Sequence, residues 1–172
     1  TLLAGVTDAD NAITVEISDA AGANTGTTAL NVNADALVDT LVVTLIGNNG
    51  NNVLVGNATA DTITGGAGVD TITGGAGADA ITGGAGADVF LIAAAADHAT
   101  GETITGGANA DTIRFTSTTA SETLTLLAGV TDADNAITVE ISDSAGANTG
   151  TTALNVNADA LVDTLSITLI GN

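Results

Sequence analysis

Asp61, Asp70, Asp79, Asp88 and Asp97 recur every nine residues, and the three central ones sit in the blocks GGAGVDTIT at 65, GGAGADAIT at 74 and GGAGADVFL at 83. Glycine permits positive φ, so a chain reverses within six residues. Three residues then form a short strand whose middle residue, Leu54, Ile63, Ile72, Ile81, Phe90 or Ile113, faces inward. Two such blocks complete one coil, which stacks equivalent turns at the strand spacing of about 4.8 Å and sets each carboxylate above another. Stacked carboxylates with no nearby base repel, and a hard cation between the turns removes the repulsion. Calcium accepts six to eight oxygens in flexible geometry, including the carbonyls that glycine-rich turns expose, whereas magnesium demands a stricter octahedron. Zinc prefers imidazole or thiolate, and His98 is the sole imidazole in a chain without cysteine.

The same frame extends in weaker form on both sides. GNNGNNVLV at 47 puts Asn52 in the sixth position, and GNATADTIT at 56 replaces turn residues with Ala58 and Thr59, which predicts weaker sites. IAAAADHAT at 92 keeps Asp97 in phase without glycines; after an insertion read as GETIT, GGANADTIR at 106 supplies Asp111.

The blocks at 65 to 91 resemble the RTX calcium-binding repeats, whose nonapeptide reads GGxGxDxUx with U a large apolar residue. The resemblance implies an all-β fold, a right-handed parallel β-roll or β-solenoid with calcium in its turns. It implies several Ca2+ ions per unit, held by the sixth-position aspartates and the carbonyls of the glycine-rich residues, here Gly65, Ala67, Gly74, Ala76, Gly83 and Ala85. In this register Asp70 pairs with Asp88 on one edge and Asp61 with Asp79 on the other, Asp97 extends the second row, and Asp111 and Asn52 are further candidates.

Around these blocks the composition is acidic, with 20 Asp and Glu against one basic residue and a formal charge of −19. Nucleic acid and anionic membranes require clustered Lys or Arg, and only Arg114 is present, so neither is an expected partner. No apolar run approaches the roughly 18 residues of a membrane span. The 45% hydrophobic content, nearly all Ala, Val, Ile and Leu, is too high for a disordered chain and suits thin, regular interiors.

Residues 1 to 48 reappear at 125 to 172, and only Ala20/Ser144, Val42/Ser166 and Val43/Ile167 differ. The chain therefore reads as more than one unit of a tandem array, cut within a unit and continuing in both directions. Three segments follow: strand-rich residues 1–46, a calcium-binding β-roll block at 47–111, and strand-rich residues 112–172. Alternation of Leu41, Val43 and Leu45 with outward Val42, of Ile13, Val15 and Ile17 with Thr14, Glu16 and Ser18, and of Leu30 and Val32 with Asn31 and Asn33 predicts strands. So do ETLTLLAG at 122, with Leu124 and Leu126 on one face, and DTIRFT at 111. Alternation alone leaves open whether these strands continue the solenoid or build a β-sandwich.

The remaining polar motifs read as structural. TDADNA at 7, repeated at 131, reads first as a solvated turn before a strand; its alternating aspartates also occur in calcium loops, although the later glycine and glutamate of an EF-hand are missing. His98 has no catalytic context, and the sequon at Asn57 lies within a repeat turn. The expected role is therefore non-enzymatic: an extracellular structural module that folds on meeting external calcium and self-associates with neighbouring repeats into a filament, surface layer or stalk. A cell-surface polysaccharide is a candidate further partner. Two alternatives are an accessory or secretion domain of a secreted RTX enzyme or adhesin, and an ice-binding face of outward threonines, which Ala80 and Val89 interrupt.

Overall fold

The fold is described from a computed structural model, covering residues 10–16, 23–37, 40–142, 146–147, 153–161 and 165–171. Its strands are, in chain order, β1 (Ala12–Glu16), β2 (Asn31–Asn33), β3 (Val42–Ile46), β4 (Val53–Val55), β5 (Thr62–Ala67), β6 (Thr71–Thr73), β7 (Ala80–Ala85), β8 (Val89–Ile92), β9 (Thr103–Ala108), β10 (Asp111–Phe115), β11 (Thr123–Thr125), β12 (Val130–Thr131), β13 (Ala136–Ile141), β14 (Asn155–Asn157) and β15 (Ser166–Ile170). One sheet runs β1-β3-β5-β7-β9-β12, a second runs β15-β13-β10-β8-β6-β4-β2, and β11 pairs with β14. All the pairings are parallel. From β1 to β10 the chain thus alternates between two faces and climbs one strand per coil, and beyond the roll β11 and β14 add a third face, which together is a β-solenoid.

The interior is two facing apolar columns. On the first face Val15, Leu45, Ile63, Ile81, Ile104 and Val130 are in register. On the second, Val32, Leu54, Ile72, Phe90, Ile113, Val139 and Leu169 are in register. From Leu45 to Val130 and from Leu54 to Val139 these residues are buried, each worth about 1.5–3 kcal/mol of apolar transfer if fully buried. Small β-branched side chains suit this interior because only one layer separates the sheets. Thr64, Thr73 and Thr82, the outward neighbours, remain half-buried against their counterparts in adjacent coils.

Tight turns join the faces. Gly84 has φ +115°, and a Cβ there would collide with the Gly66 carbonyl of the coil below, so both the backbone angle and the coil spacing demand glycine. The short AAAAD segment becomes a single 3-10 turn, Ala95–Asp97.

The strand-rich segments continue the solenoid. β1 pairs with β3, and β3 with β5 of the roll; at the other end β10 pairs with β13, and β13 with β15. Coil length changes along the way. Asp61 and Asp79 stack at a separation of 18 residues, Ile104 stacks on Val130, and Ala136 on Ser166. Coils thus lengthen outside the roll while the ladder persists. Because the repeat is not a whole number of coils, the copies change face: β1 and β3 lie in the first sheet, whereas their counterparts β13 and β15 lie in the second.

Alternation is as expected at Leu41, Val43 and Leu45, which are buried beside exposed Val42, and at Leu124 and Leu126. Leu30 differs. It is exposed, because β2 begins after it and its carbonyl turns to accept the Asn52 side chain. Ile17 lies outside the described residues.

Two substitutions separate the two faces of this ladder. Val42→Ser, the exchange already present in the second copy at Ser166, should change calcium-saturated stability by no more than about 0.5 kcal/mol. Ile63→Ala, within the buried column, should cost about 2–5 kcal/mol, both read by urea unfolding.

Candidate metal centre

Asp61, Asp70, Asp79 and Asp88 each lie just before a strand and Asp111 opens one, and in these five the turn delivers the side chain inward. Oδ1 of each accepts the backbone N–H of the residue one coil below. Asp70 Oδ1 accepts from Asn52 at 2.7 Å, Asp88 from Asp70 at 2.8 Å and Asp111 from Asp88 at 2.8 Å. On the other edge Asp61 accepts from Val43 at 2.9 Å and Asp79 from Asp61 at 2.8 Å. The two expected rows therefore exist, and Asp111 extends the first.

The second oxygen decides which members need a cation. Oδ2 of Asp70, Asp79, Asp88 and Asp111 is buried with no hydrogen-bond partner. A buried carboxylate oxygen without a donor or counter-ion is costly, and here the missing charge recurs coil after coil. Carbonyls converge on the same places. A methyl group on Gly65 would lie within 3.0 Å of both Asp70 Oδ2 and the Gly83 carbonyl, and one on Gly83 within 3.0 Å of both Asp88 Oδ2 and the Gly106 carbonyl. The absence of a Cβ thus leaves an oxygen-lined cradle, which fits a hard cation such as calcium. Among the described residues no three acidic or histidine side chains cluster, and the cradles at Gly65 and Gly83 each combine one carboxylate with a backbone oxygen. The carbonyls of Gly65 and Gly74 point in the same way toward Gly47 and Gly56 of the coils below. Ala67 and Ala85 lie in the first sheet, in register with each other, and Ala76 lies in a turn of the opposite edge.

Three candidates have different surroundings. Asp61 is saturated by protein donors: Asn57 N–H gives to Oδ2 at 2.8 Å, and the Thr59 hydroxyl and Val43 N–H give to Oδ1. The oxygen left orphan on Asp70 is thus satisfied on Asp61 by the Asn57 N–H, while the Thr59 hydroxyl, in the place of a turn glycine, shares its proton among Asp61 Oδ1, Asn57 Oδ1 and Leu41 O. Asn52 is likewise engaged, its Oδ1 accepting from Asn48 N–H and its Nδ2 donating to Leu30 O at 2.7 Å, so an amide nitrogen occupies the cationic role. The Asn57 amide is buried and donates to Leu41 O. Asp97 does not extend the second row. It closes the 3-10 turn, its Oδ2 accepting from Ala94 N–H.

Glu102 takes that place instead. Ala80 pairs with Thr103, which sets Glu102 above Asp79. The extra residues therefore lie before Glu102, within the 3-10 turn and its flanks, and the string Glu102-Thr-Ile-Thr-Gly-Gly repeats Asp61-Thr-Ile-Thr-Gly-Gly in frame. That match is the signal in the sequence that locates it. Glu102 is buried, its Oε1 3.1 Å from His98 Nδ1, while His98 Nε2 accepts from Leu127 N–H. The histidine is held in a structural pair at the end of the row. Asp132, from the turn read as solvated, is also buried with an orphan Oδ1.

Burial, opposed by the Asn52 N–H, pushes Asp70 up to about 6, with Asp88 adding repulsion. Asp79 rises to about 7, chiefly by burial and further through Glu102 and Asp61. Asp111 rises to about 7, again chiefly by burial, with Asp88 and Asp132 contributing. Burial also raises Asp88 and Asp97. Arg114 pairs with Glu140 at 2.8 Å, on the outward face.

These acids have higher pKa values folded than unfolded, so without calcium the folded state binds more protons. Its stability is fully present below the unfolded value of 3.8 and is lost as pH rises through about 6 to 7. In chelator, far-ultraviolet circular dichroism should therefore show β structure in mild acid that melts toward neutrality, and saturating calcium should restore it. A calcium-free signal constant across that range would contradict the assignment.

No helix among the described residues is long and apolar enough to cross a membrane. No curated protein and no solved structure matches the chain. A family model described as the RTX calcium-binding nonapeptide repeat in four copies matches residues 44–72 and 55–90. That span contains Asp70, Asp79 and Asp88 with their orphan oxygens and cradling glycines. Residues 44–90 of the chain are thus similar to the RTX calcium-binding nonapeptide repeat, a family that binds Ca2+ in its turns.

Proposed function

We propose that the chain is a non-catalytic structural module, a calcium-stapled tandem solenoid that builds an extracellular filament, surface layer or stalk. The observation that carries this reading is the near-identity of 1–48 and 125–172, joined to the parallel ladder that leads from β1 through the roll to β15. A roll that only assisted an enzyme would not need its flanks duplicated and stacked on the same axis. RTX repeats are typical of secreted bacterial proteins, and the acidic excess suits a chain kept open where calcium is scarce and compacted where it is plentiful.

Axial rigidity is the function in this reading. In this reading the stacking of β13 on β15 is continued by further parallel strands, from the next unit or a second copy. The change of face between copies would present equivalent outward residues on alternating sides of the fibre.

Proteins carrying one, two and four copies of the repeat, viewed by electron microscopy in calcium, should appear as rods. Their length should grow by roughly 25 Å per copy, from five to six coils at about 4.8 Å each. In chelator the rods should disappear. Compact particles whose length does not follow copy number would overturn the proposal.

A further inference from the structure

We propose that Asp111 and Asp132 form a calcium site at the exit of the roll, clamping the turn at 131–136 onto the last glycine-rich turn. Asp132 lies outside the nonapeptides and outside the span matched to the repeat family. β12 pairs with β9 through Val130↔Ile104 and Thr131↔Thr105, which sets Asp132 above Gly106. The next residues dock on the same turn: Ala133 N–H donates to Gly107 O at 3.0 Å, and Asn109 N–H to Asp134 Oδ2 at 3.0 Å.

In the row below Asp111 the cradles at Gly65 and Gly83 join an aspartate Oδ2 to a glycine carbonyl from the coil above. Above Gly106 the second oxygen is a carboxylate instead. A methyl group on Gly106 would lie within 3.0 Å of both Asp111 Oδ2 and Asp132 Oδ1. Asp111 is 1% exposed and Asp132 7%, and both of these oxygens lack any hydrogen-bond partner. Their other oxygens are committed, Asp111 Oδ1 to Asp88 N–H and Asp132 Oδ2 to Ala136 N–H at 3.1 Å, so neither side chain can turn away without losing a backbone contact. Two buried carboxylate oxygens facing one space repel when both are ionised, and a cation between them removes the repulsion. Their hardness and double charge select a divalent oxygen-seeking ion, with backbone and water completing the shell. Asp8, the matching position of the first copy, lies outside the described residues.

The ion makes stability of the flank depend on calcium, although the flank carries no nonapeptide. The test rests partly on the roll reading and separates the two. Calcium equilibrium dialysis and hydrogen exchange are run on the whole chain, on Asp132→Asn, and on Asp134→Asn as a control that leaves the orphan pair intact. Asp132→Asn should bind one fewer ion, and amides at 130–141 should need at least about tenfold more calcium for protection, because ligand charge sets affinity. Protection at 62–90 should be unchanged, which reports that the variant folds, and Asp111→Asn should reproduce the lost ion. Equal ion counts and equal protection at 130–141 in wild type and Asp132→Asn would overturn the site. Calcium-independent protection at 62–90 would overturn the roll reading alone, and a difference between the two proteins at 130–141 would still support the junction ion.

Discussion

The structure depends on one unneutralised atom repeated from coil to coil, the second carboxylate oxygen of an aspartate held beneath the next turn. Oδ1 of each aspartate ties two coils through a backbone N–H, and that bond aims Oδ2 into a space from which water and side-chain donors are excluded. Without a cation the arrangement opposes itself, since burial and stacked like charges both resist ionisation. With a divalent ion each coil is bonded to its neighbours, and ion binding becomes folding free energy. From β4 to β7 the apolar columns are too thin to replace this contribution: each strand buries one apolar side chain, Leu54, Ile63, Ile72 or Ile81, and aromatic residues are nearly absent.

The roll ends differently on its two sides. At the entrance, Asn52, Asn57 and Thr59 put neutral donors where interior coils leave an oxygen unpaired, so the rows begin with ordinary hydrogen bonds. At the exit, one row finishes in the Glu102–His98 pair and the other in the Asp111–Asp132 pair. Calcium dependence is thus concentrated toward the second half of the roll and reaches across its boundary. The transition to longer coils occurs where His98 and Glu102 are buried, because the inserted residues loop out before Glu102 and leave the ladder from Asp79 to Glu102 intact.

Much of this was legible in the sequence because a nine-residue period leaves little freedom: once two blocks make a coil, the inward residues and the stacking of Asp61 with Asp79 and of Asp70 with Asp88 follow. Asp111 was legible as a candidate because its glycines preserve the frame, but its place in the row of Asp70 and Asp88 comes from the ladder. Other features depended on which donor reaches an oxygen in space. Asp61 has the same motif position as Asp70, yet Thr59 and Asn57 satisfy it. Asp97 kept the count but not the ladder, because the chain left the sheet to form a 3-10 turn, and the Glu102 string carried the frame onward. For the turn of Asp132 alternating aspartates left a solvated loop and a calcium loop both open, and only the stacking of β12 on β9 sets Asp132 over Gly106. The continuity of the flanks with the roll was likewise undecidable from alternation, which sandwiches and solenoids share.

The most direct test is a calcium titration of the whole chain at neutral pH, following heat by calorimetry and β structure by circular dichroism in the same samples. The account predicts a largely unfolded chain in chelator, a cooperative gain of β signal that coincides with binding of several ions, reversal on chelation, and little response to magnesium. A chain that is already fully structured in chelator at neutral pH, or one that binds calcium without any change in β signal, would contradict it.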